Sequence, residues 1–322
     1  MEDLEEAITF HRQGLALQPH GHPDRSSSLN TFANAVSTGF KQLGRMDDLE
    51  EGITYHREAF ALRPDGHINR SSLYNLANSM YARFKQLGIM DDLEEAISCQ
   101  RQALGLFPQG HAKRSSSLND LAGALFTHFE QSESRSKDDL LDAAKYLSEA
   151  KDILPIGHPR QSIVGSSLAS ILLVQSDIVS KSDESLRLMT KAFELFEHAA
   201  DHSSASAKIR FDAAVIWARE AHYRDHPSSV HHDAYTKSLT LLGRCLIMAS
   251  TIESQQNLLA AVPKSLALDA VSCSINQGDL RTASSYWNKG RLYYYGQNCE
   301  VIGIHLTIFV RLIKSFLINL RS

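Results

Sequence analysis

The chain has 322 residues, a formal net charge of −4, 43% hydrophobic and 22% charged residues. These are globular values, and so small a net charge sets up no field that would draw the protein to nucleic acid or to an anionic membrane. Four widely spaced cysteines, Cys99, Cys245, Cys273 and Cys299, form no C-x-x-C pair. That argues against a zinc site and a disulfide framework, and it fits a reducing compartment.

The first predicted helix runs from Glu2 to Leu17. Asp3, Glu5 and Glu6 sit in its first turn, where carboxylates favour the positive end of the helix dipole. Leu4, Ala7, Ile8 and Leu15 recur at helical spacing, and Pro19 with Gly21 ends the run. The opening MEDLEEAI is acidic where a secretory leader would be basic and then apolar, so a cytoplasmic protein is expected. Met1 aligns with Met46 and Met90, so the sequence opens in the middle of a repeat, and an array truncated at its N-terminus is expected.

That repeat is the strongest signal in the chain. Asp3-Leu4-Glu5-Glu6, Asp48-Leu49-Glu50-Glu51 and Asp92-Leu93-Glu94-Glu95 are copies of one helix start, 45 and then 44 residues apart. Pro19, Pro64 and Pro108 follow the helices, with Gly21-His22, Gly66-His67 and Gly110-His111 just beyond. Arg25, Arg70 and Arg114 then precede serines and a second apolar helix. A fixed period of this size is the mark of a solenoid.

The second helices carry three parallel stripes: Leu29, Phe32, Ala33, Val36, Phe40 and Leu43; then Leu73, Leu76, Ala77, Met80, Phe84 and Leu87; then Leu118, Leu121, Ala122, Leu125 and Phe129. The spacing is that of an amphipathic helix. The serines after each Arg are expected to cap these helices. Gly44 and Gly88 are expected to supply left-handed turns at their ends.

After Phe129 the pattern loosens. EQSESRSKDD replaces the compact K-Q-L-G turn, although Asp139-Leu140 still starts a helix and Pro155, Gly157 and His158 still end one. A fifth pair is predicted at about Ser162–Ser180 and Asp183–Ala200. Longer helices are predicted beyond it, at about 205–224, 231–250, 255–276 and 279–296. The last stretch, VIGIHLTIFVRLIKSFLINL, is interrupted by His305, Arg311 and Lys314, whose charges are costly inside a bilayer. It is read as an amphipathic end helix and not as a membrane span.

Helix pairs with small residues at Ala33, Ala77 and Ala122 and at Ala59 and Ala103, closed by Pro64 and Pro108, resemble tetratricopeptide (TPR) repeats with a lengthened loop. The version LEEAI…HRxALALxPxGHPDRSSSLNxLANAL resembles the arrays of fungal proteins that end in a caspase-like CHAT domain. The resemblance covers residues 1–160 closely and weakens beyond 200. Gln277-Gly278-Asp279, Ala283, Trp287 and Gly290-Arg291 resemble the last pair of such arrays. About thirty residues follow Arg291, too few for a peptidase domain, so no catalytic residue carries over.

The expected fold is therefore all-α: a right-handed superhelical α-solenoid of TPR-like helix pairs. The expected organisation is regular repeats over 1–200, divergent helical repeats over 201–298 and an apolar tail helix over 299–322.

Several residue groups invite a site. The loop histidines His22, His67, His111, His158 and His202 recur once per repeat. Successive repeats stand too far apart for them to share an ion whose ligands must all lie at about 2 Å, so they are read as loop packing. His11 and His56 share one helical position that Gln100 fills in the next copy. His222 with His226, and His231-His232-Asp233, are dense but lack any H-E-x-x-H pattern. Arg25, Arg70 and Arg114 are expected to pair with acidic helix starts such as Asp47-Asp48 or Asp91-Asp92.

In TPR arrays the first helix of each pair lines a concave groove, and the resemblance implies the same here. The stripe facing it holds Asn30, Asn34 and Lys41, then Tyr74, Asn78, Tyr81 and Lys85, then Asn119 and Glu130. Asn both donates and accepts, which suits the backbone of an extended peptide. Asn34 and Asn78 match the position where many TPR grooves hold a ligand-binding Asn; the third copy is Gly123.

No phosphate-binding loop, dinucleotide fingerprint or nucleophile elbow is present, and neither enzymatic activity nor a cofactor or metal is expected. The leading expectation is a non-catalytic scaffold that binds a peptide or partner protein in the groove, with self-association through uncapped ends. The alternative is the regulatory or sensor repeat arm of a fungal caspase-like peptidase whose catalytic domain lies outside this chain.

Overall fold

The computed structural model describes residues 2–62, 70–111, 113–179, 182–224 and 228–294. Among these residues every regular element is a helix. The chain divides into two compact units, Met1–Leu154 and Pro155–Ser322. The first holds α1 (Glu2–Ala16), α2 (Arg25–Leu43), α3 (Met46–Ala61), α4 (Arg70–Leu87), α5 (Met90–Gly105), α6 (Arg114–Gln131) and α7 (Lys137–Ile153). The second holds α8 (Arg160–Val179), α9 (Asp183–Asp201), α10 (Ala207–Tyr223), α11 (Ser228–Met248), α12 (Ile252–Ala260), α13 (Leu266–Asn276) and α14 (Leu280–Tyr294). The tail predicted for 299–322, Cys299 and the loop residues Pro64, Gly66 and His67 lie outside the described residues.

Each unit is a stack of helix pairs. The heaviest packing joins α2 to α3, α4 to α5 and α6 to α7 in the first unit, and α8 to α9, α10 to α11 and α13 to α14 in the second. Within each unit, lighter packing joins each pair to the next. The core follows the same rule: Ile8, Leu15, Leu29, Phe32, Val36 and Ala59 form one cluster drawn from three consecutive helices. The next cluster begins at Phe40 and Leu49 and reaches Ala103 and Phe107. Phe32, Leu29, Met80, Leu118 and Leu121 are wholly buried, each contributing about 1.5–3 kcal/mol of hydrophobic free energy. Ala33, Ala77, Ala122, Ala59 and Ala103 are also wholly buried, because only small side chains fit where paired helices approach most closely. Leu87, expected at the end of the second stripe, is exposed; it is the last residue of α4.

The turn between repeats follows from its P-x-G-H-x-x-R sequence. In the first, the N–H of His22 bonds the Pro19 carbonyl and the N–H of Arg25 bonds the His22 carbonyl. Gly21, Gly110 and Gly157 take φ of 94°, 84° and 80°, a left-handed conformation that a Cβ would strain. The turns at His111 and His158 repeat the same bonds, to Pro108 and Pro155. Arg25 and Arg114 each close the end of the preceding helix, donating Nη1 to Gln18 O at 2.6 Å and to Phe107 O at 2.8 Å.

Two expectations about these helix starts are corrected. The serines do not cap them. The Nδ1 of His22, His111 and His158 accepts the backbone N–H two residues further on, at 3.2, 3.1 and 3.2 Å, in the manner of an Asx turn. The serine hydroxyls donate instead to carbonyls near the end of the following helix: Ser26 to Ala59, Ser115 to Ala150 and Ser162 to Ala199. Nor do Arg25 and Arg114 pair with acidic helix starts. They hold Glu58 and Glu149, at the far ends of α3 and α7, at 2.8 and 2.6 Å. The side chain of Arg70 lies outside the described residues.

Gly44 and Gly88 do end their helices as expected, each at φ 70° and each donating its N–H to the carbonyl four residues back, Phe40 and Phe84. The single helix expected over 255–276 is two helices, α12 and α13. Pro263 lies between them; it has no N–H to give the ladder and it disfavours helical geometry in the residue before it. Helix α8 is long and apolar enough to cross a membrane, but half of its apolar window is buried inside the protein, and it packs on α9 and α10.

Candidate partner-binding groove

A cavity of about 310 Å³ opens between α2 and α4 in the first unit. Helix α2 lines it with Asn34, Ser37, Thr38 and Lys41, and α4 with Asn75, Asn78, Ser79 and Ala82. Both sets follow the i, i+3, i+4, i+7 spacing of a single helix face. Leu49 and His56 of α3 lie between them, and Lys113 joins from the turn before α6. The hydroxyls of Ser37 and Ser79 meet across the gap at 3.3 Å. Thr38 donates to the Asn34 carbonyl of its own helix at 2.8 Å.

The lining contains two lysines and no carboxylate. The acids of α3 are engaged elsewhere or solvated: Asp48 pairs with Arg45, Glu51 with Arg12 and Glu58 with Arg25, and Asp47 and Glu50 are exposed. The cavity therefore offers cationic groups and amides to an approaching ligand. His56 is wholly buried, with neither ring nitrogen hydrogen-bonded. Burial alone pulls its pKa down to about 4, so the ring is neutral at pH 7.

The structure brings together three of the residues singled out for the groove: Asn34, Lys41 and Asn78. The others are placed differently. Tyr74 donates its hydroxyl to Asp120 Oδ2 at 2.5 Å, and the Tyr81 hydroxyl meets Thr127 Oγ1 at 2.9 Å. Both tyrosines thus tie α4 to α6. Asn119 donates weakly to Asp120 at 3.4 Å, and the side-chain oxygens of Asn30 and Asn119 are buried without a partner. Lys85 is exposed.

Sequence reasoning missed Asn75, Ser37, Thr38 and Ser79, although their spacing from Asn34 and Asn78 is a readable helix face. It also passed over His56, because Gln100 replaces it in the next repeat. Lys113 carried no signal, since its approach depends on how the turn folds back.

Among the described residues no three His, Cys, Asp or Glu side chains are placed to hold an ion. His202 Nε2 meets Gln161 Oε1 at 3.2 Å. The rings of His222 and His231 lie 6.1 Å apart, His232 Nδ1 is 3.7 Å from Asp233, and His226 lies outside the described residues.

No protein-family model matches the chain, and no curated protein matches its sequence. Solved structures with a related course of the chain include Nro1, described as a hypoxic regulator of sterol synthesis and nuclear import adaptor, at 10% identity and a TM-score of 0.48 over 98% of this chain and 99% of that one. BtubC from P. vanneervenii aligns at 12% identity and a TM-score of 0.40 over 92% of each chain. A Podosopora anserina chain of kinesin-light-chain type, with nearly identical TPR-like repeats, aligns at 17% identity and a TM-score of 0.38 over 70% of this chain and 96% of that one.

Proposed function

We propose that the chain is a non-catalytic protein-interaction scaffold, and that the cavity between α2 and α4 receives an extended segment of a partner protein. The observation that carries this reading is the pair of facing polar stripes, Asn34 to Lys41 and Asn75 to Ala82, on either side of one open cavity. Seven residues of helix rise about 10 Å, the length of about three residues of extended chain. Within the described residues the Asn34 and Asn78 side chains have no hydrogen-bond partner. Their amides are therefore available to bond both the N–H and the C=O groups of a peptide backbone. We further propose a cytoplasmic location, a reading supported by the free thiols of Cys99, Cys245 and Cys273.

The test is an affinity capture of partners from lysate, with the Asn34→Ala/Asn78→Ala variant run beside the wild type. A protein retained by the wild type and lost from the variant, whose helical circular dichroism is unchanged, supports the groove. Equal retention by both removes it.

A further inference from the structure

His56 is the one buried ionisable group that touches the cavity. Both its ring nitrogens are buried and unpartnered, an unfavourable state for a polar group unless something satisfies it. The charged side chains around it are few. Lys41 from α2 and Lys113 before α6 line the same space. From α4, Arg83 is held by Asp92 and Lys85 is exposed. On α3, Asp48, Glu51, Arg57 and Glu58 are paired with Arg45, Arg12, Glu95 and Arg25, and Asp47 and Glu50 face solvent. On α2, Arg25 is held by Glu58. Among the described residues no carboxylate lines the cavity beside the two lysines and the imidazole.

We propose that the cavity seats one Asp or Glu side chain of the bound segment against His56, and that the imidazole takes up a proton from solvent as the carboxylate arrives. This rests on the groove reading above and deepens it to a chemical preference. The cavity volume leaves room for one such side chain beside the serines, while Asn34 and Asn78 hold the adjoining backbone. Lys41 and Lys113 attract the anion. A carboxylate next to the ring favours its charged form, because an opposite charge at close range offsets the desolvation that keeps the free ring neutral. The free ring stays neutral down to about pH 4, and a free Glu side chain remains ionised above about pH 4.3. Between about pH 4.3, above which the Glu side chain is ionised, and the ring's raised pKa in the complex, binding takes up one proton, and affinity rises as pH falls, by up to about tenfold per pH unit.

The test selects a random peptide library on the full chain, then measures the affinity of the enriched peptides from pH 7.5 to 5.5 for wild type and His56→Gln. Gln is the residue the next repeat buries at this position, as Gln100. The expected result is a shared acidic position whose Glu→Gln replacement weakens binding about tenfold or more. Wild-type affinity should also rise about tenfold over that range while the variant's stays flat. In the wild type, the ¹⁵N resonances of His56 should move to the imidazolium position when peptide is added at pH 6.5, a readout that does not depend on the variant. Enriched peptides without an acidic position, a pH slope unchanged in His56→Gln, or a ring that stays neutral in the complex would each overturn the subsite and leave the groove standing. If no peptide is enriched, the groove reading fails and the subsite falls with it.

Discussion

Arg83 grips Asp92 with two hydrogen bonds, Nη2 to Oδ1 at 2.5 Å and Nε to Oδ2 at 2.8 Å, and the carboxylate is only 5% exposed. The pair ties α4 to the first turn of α5, and the hydrogen bond raises the Arg83 pKa above its ordinary value. Asp139 holds the equivalent place two helices on, where its partner is His128 at 2.7 Å. In the first repeat the position is Gly39, and Asp48 turns to Arg45.

Removing Arg83 strands a buried carboxylate. Arg83→Ala should lower unfolding free energy by about 3 kcal/mol. The double variant Arg83→Ala/Asp92→Ala should lose less than the single one, as measured by urea denaturation. A double variant no more stable than the single would show that Asp92 is not strained by the loss.

The His111 turn makes a second prediction. Its Nδ1 accepts the Lys113 N–H, so His111→Ala should destabilise by about 1 kcal/mol, the worth of a helix-start acceptor. His111→Asn, whose side-chain oxygen reaches the same N–H, should restore most of it. Thermal melts of the two variants side by side check the point.

Tyr74 bridges α4 to α6 through Asp120. Tyr74→Phe keeps the ring and deletes the bond to a charged acceptor, so it should cost about 1.5–3 kcal/mol. The loss should appear as faster amide exchange in α4 and α6 and not in α1.

His56 predicts a pH dependence with a definite sign. Its folded pKa of about 4 lies below the unfolded value of 6.5. Above pH 6.5 both states are neutral there and the residue contributes no pH dependence. As pH falls from 6.5 towards 4 only the unfolded chain takes up the proton, so stability drops, by about 3 kcal/mol in all. His56→Gln should be flatter than wild type over that range by this amount, and parallel curves would contradict the burial argument.

Much of this was legible in the sequence. The apolar stripes from Leu29, Leu73 and Leu118 found the core because helical spacing and burial are the same fact seen twice. Gly44 and Gly88 announced the helix ends because no other residue takes that turn so easily. What stayed hidden depends on side chains meeting across helices. The Arg114 fork reaches Glu149, 35 residues away, and no local pattern says which acid an arginine will choose. The serines looked like caps because a serine before a helix usually is one; here the histidine took that N–H first and freed the hydroxyl for the neighbouring helix. The bonds of Tyr74 to Asp120 and of Tyr81 to Thr127 each cross 46 residues, a distance no helical spacing reads.

The serine bonds from Ser26, Ser115 and Ser162 span 33, 35 and 37 residues and stop at the adjoining helix. Each repeat therefore carries its own fasteners, and none needs a particular neighbour two places away. A gene that gained or lost one copy of the unit would leave these serine bonds intact in every other copy, so the length of such an array is open to change by simple duplication. The same locality lets one copy differ from the others away from its core, as Gly123 does where Asn34 and Asn78 stand, without disturbing how the stack holds together.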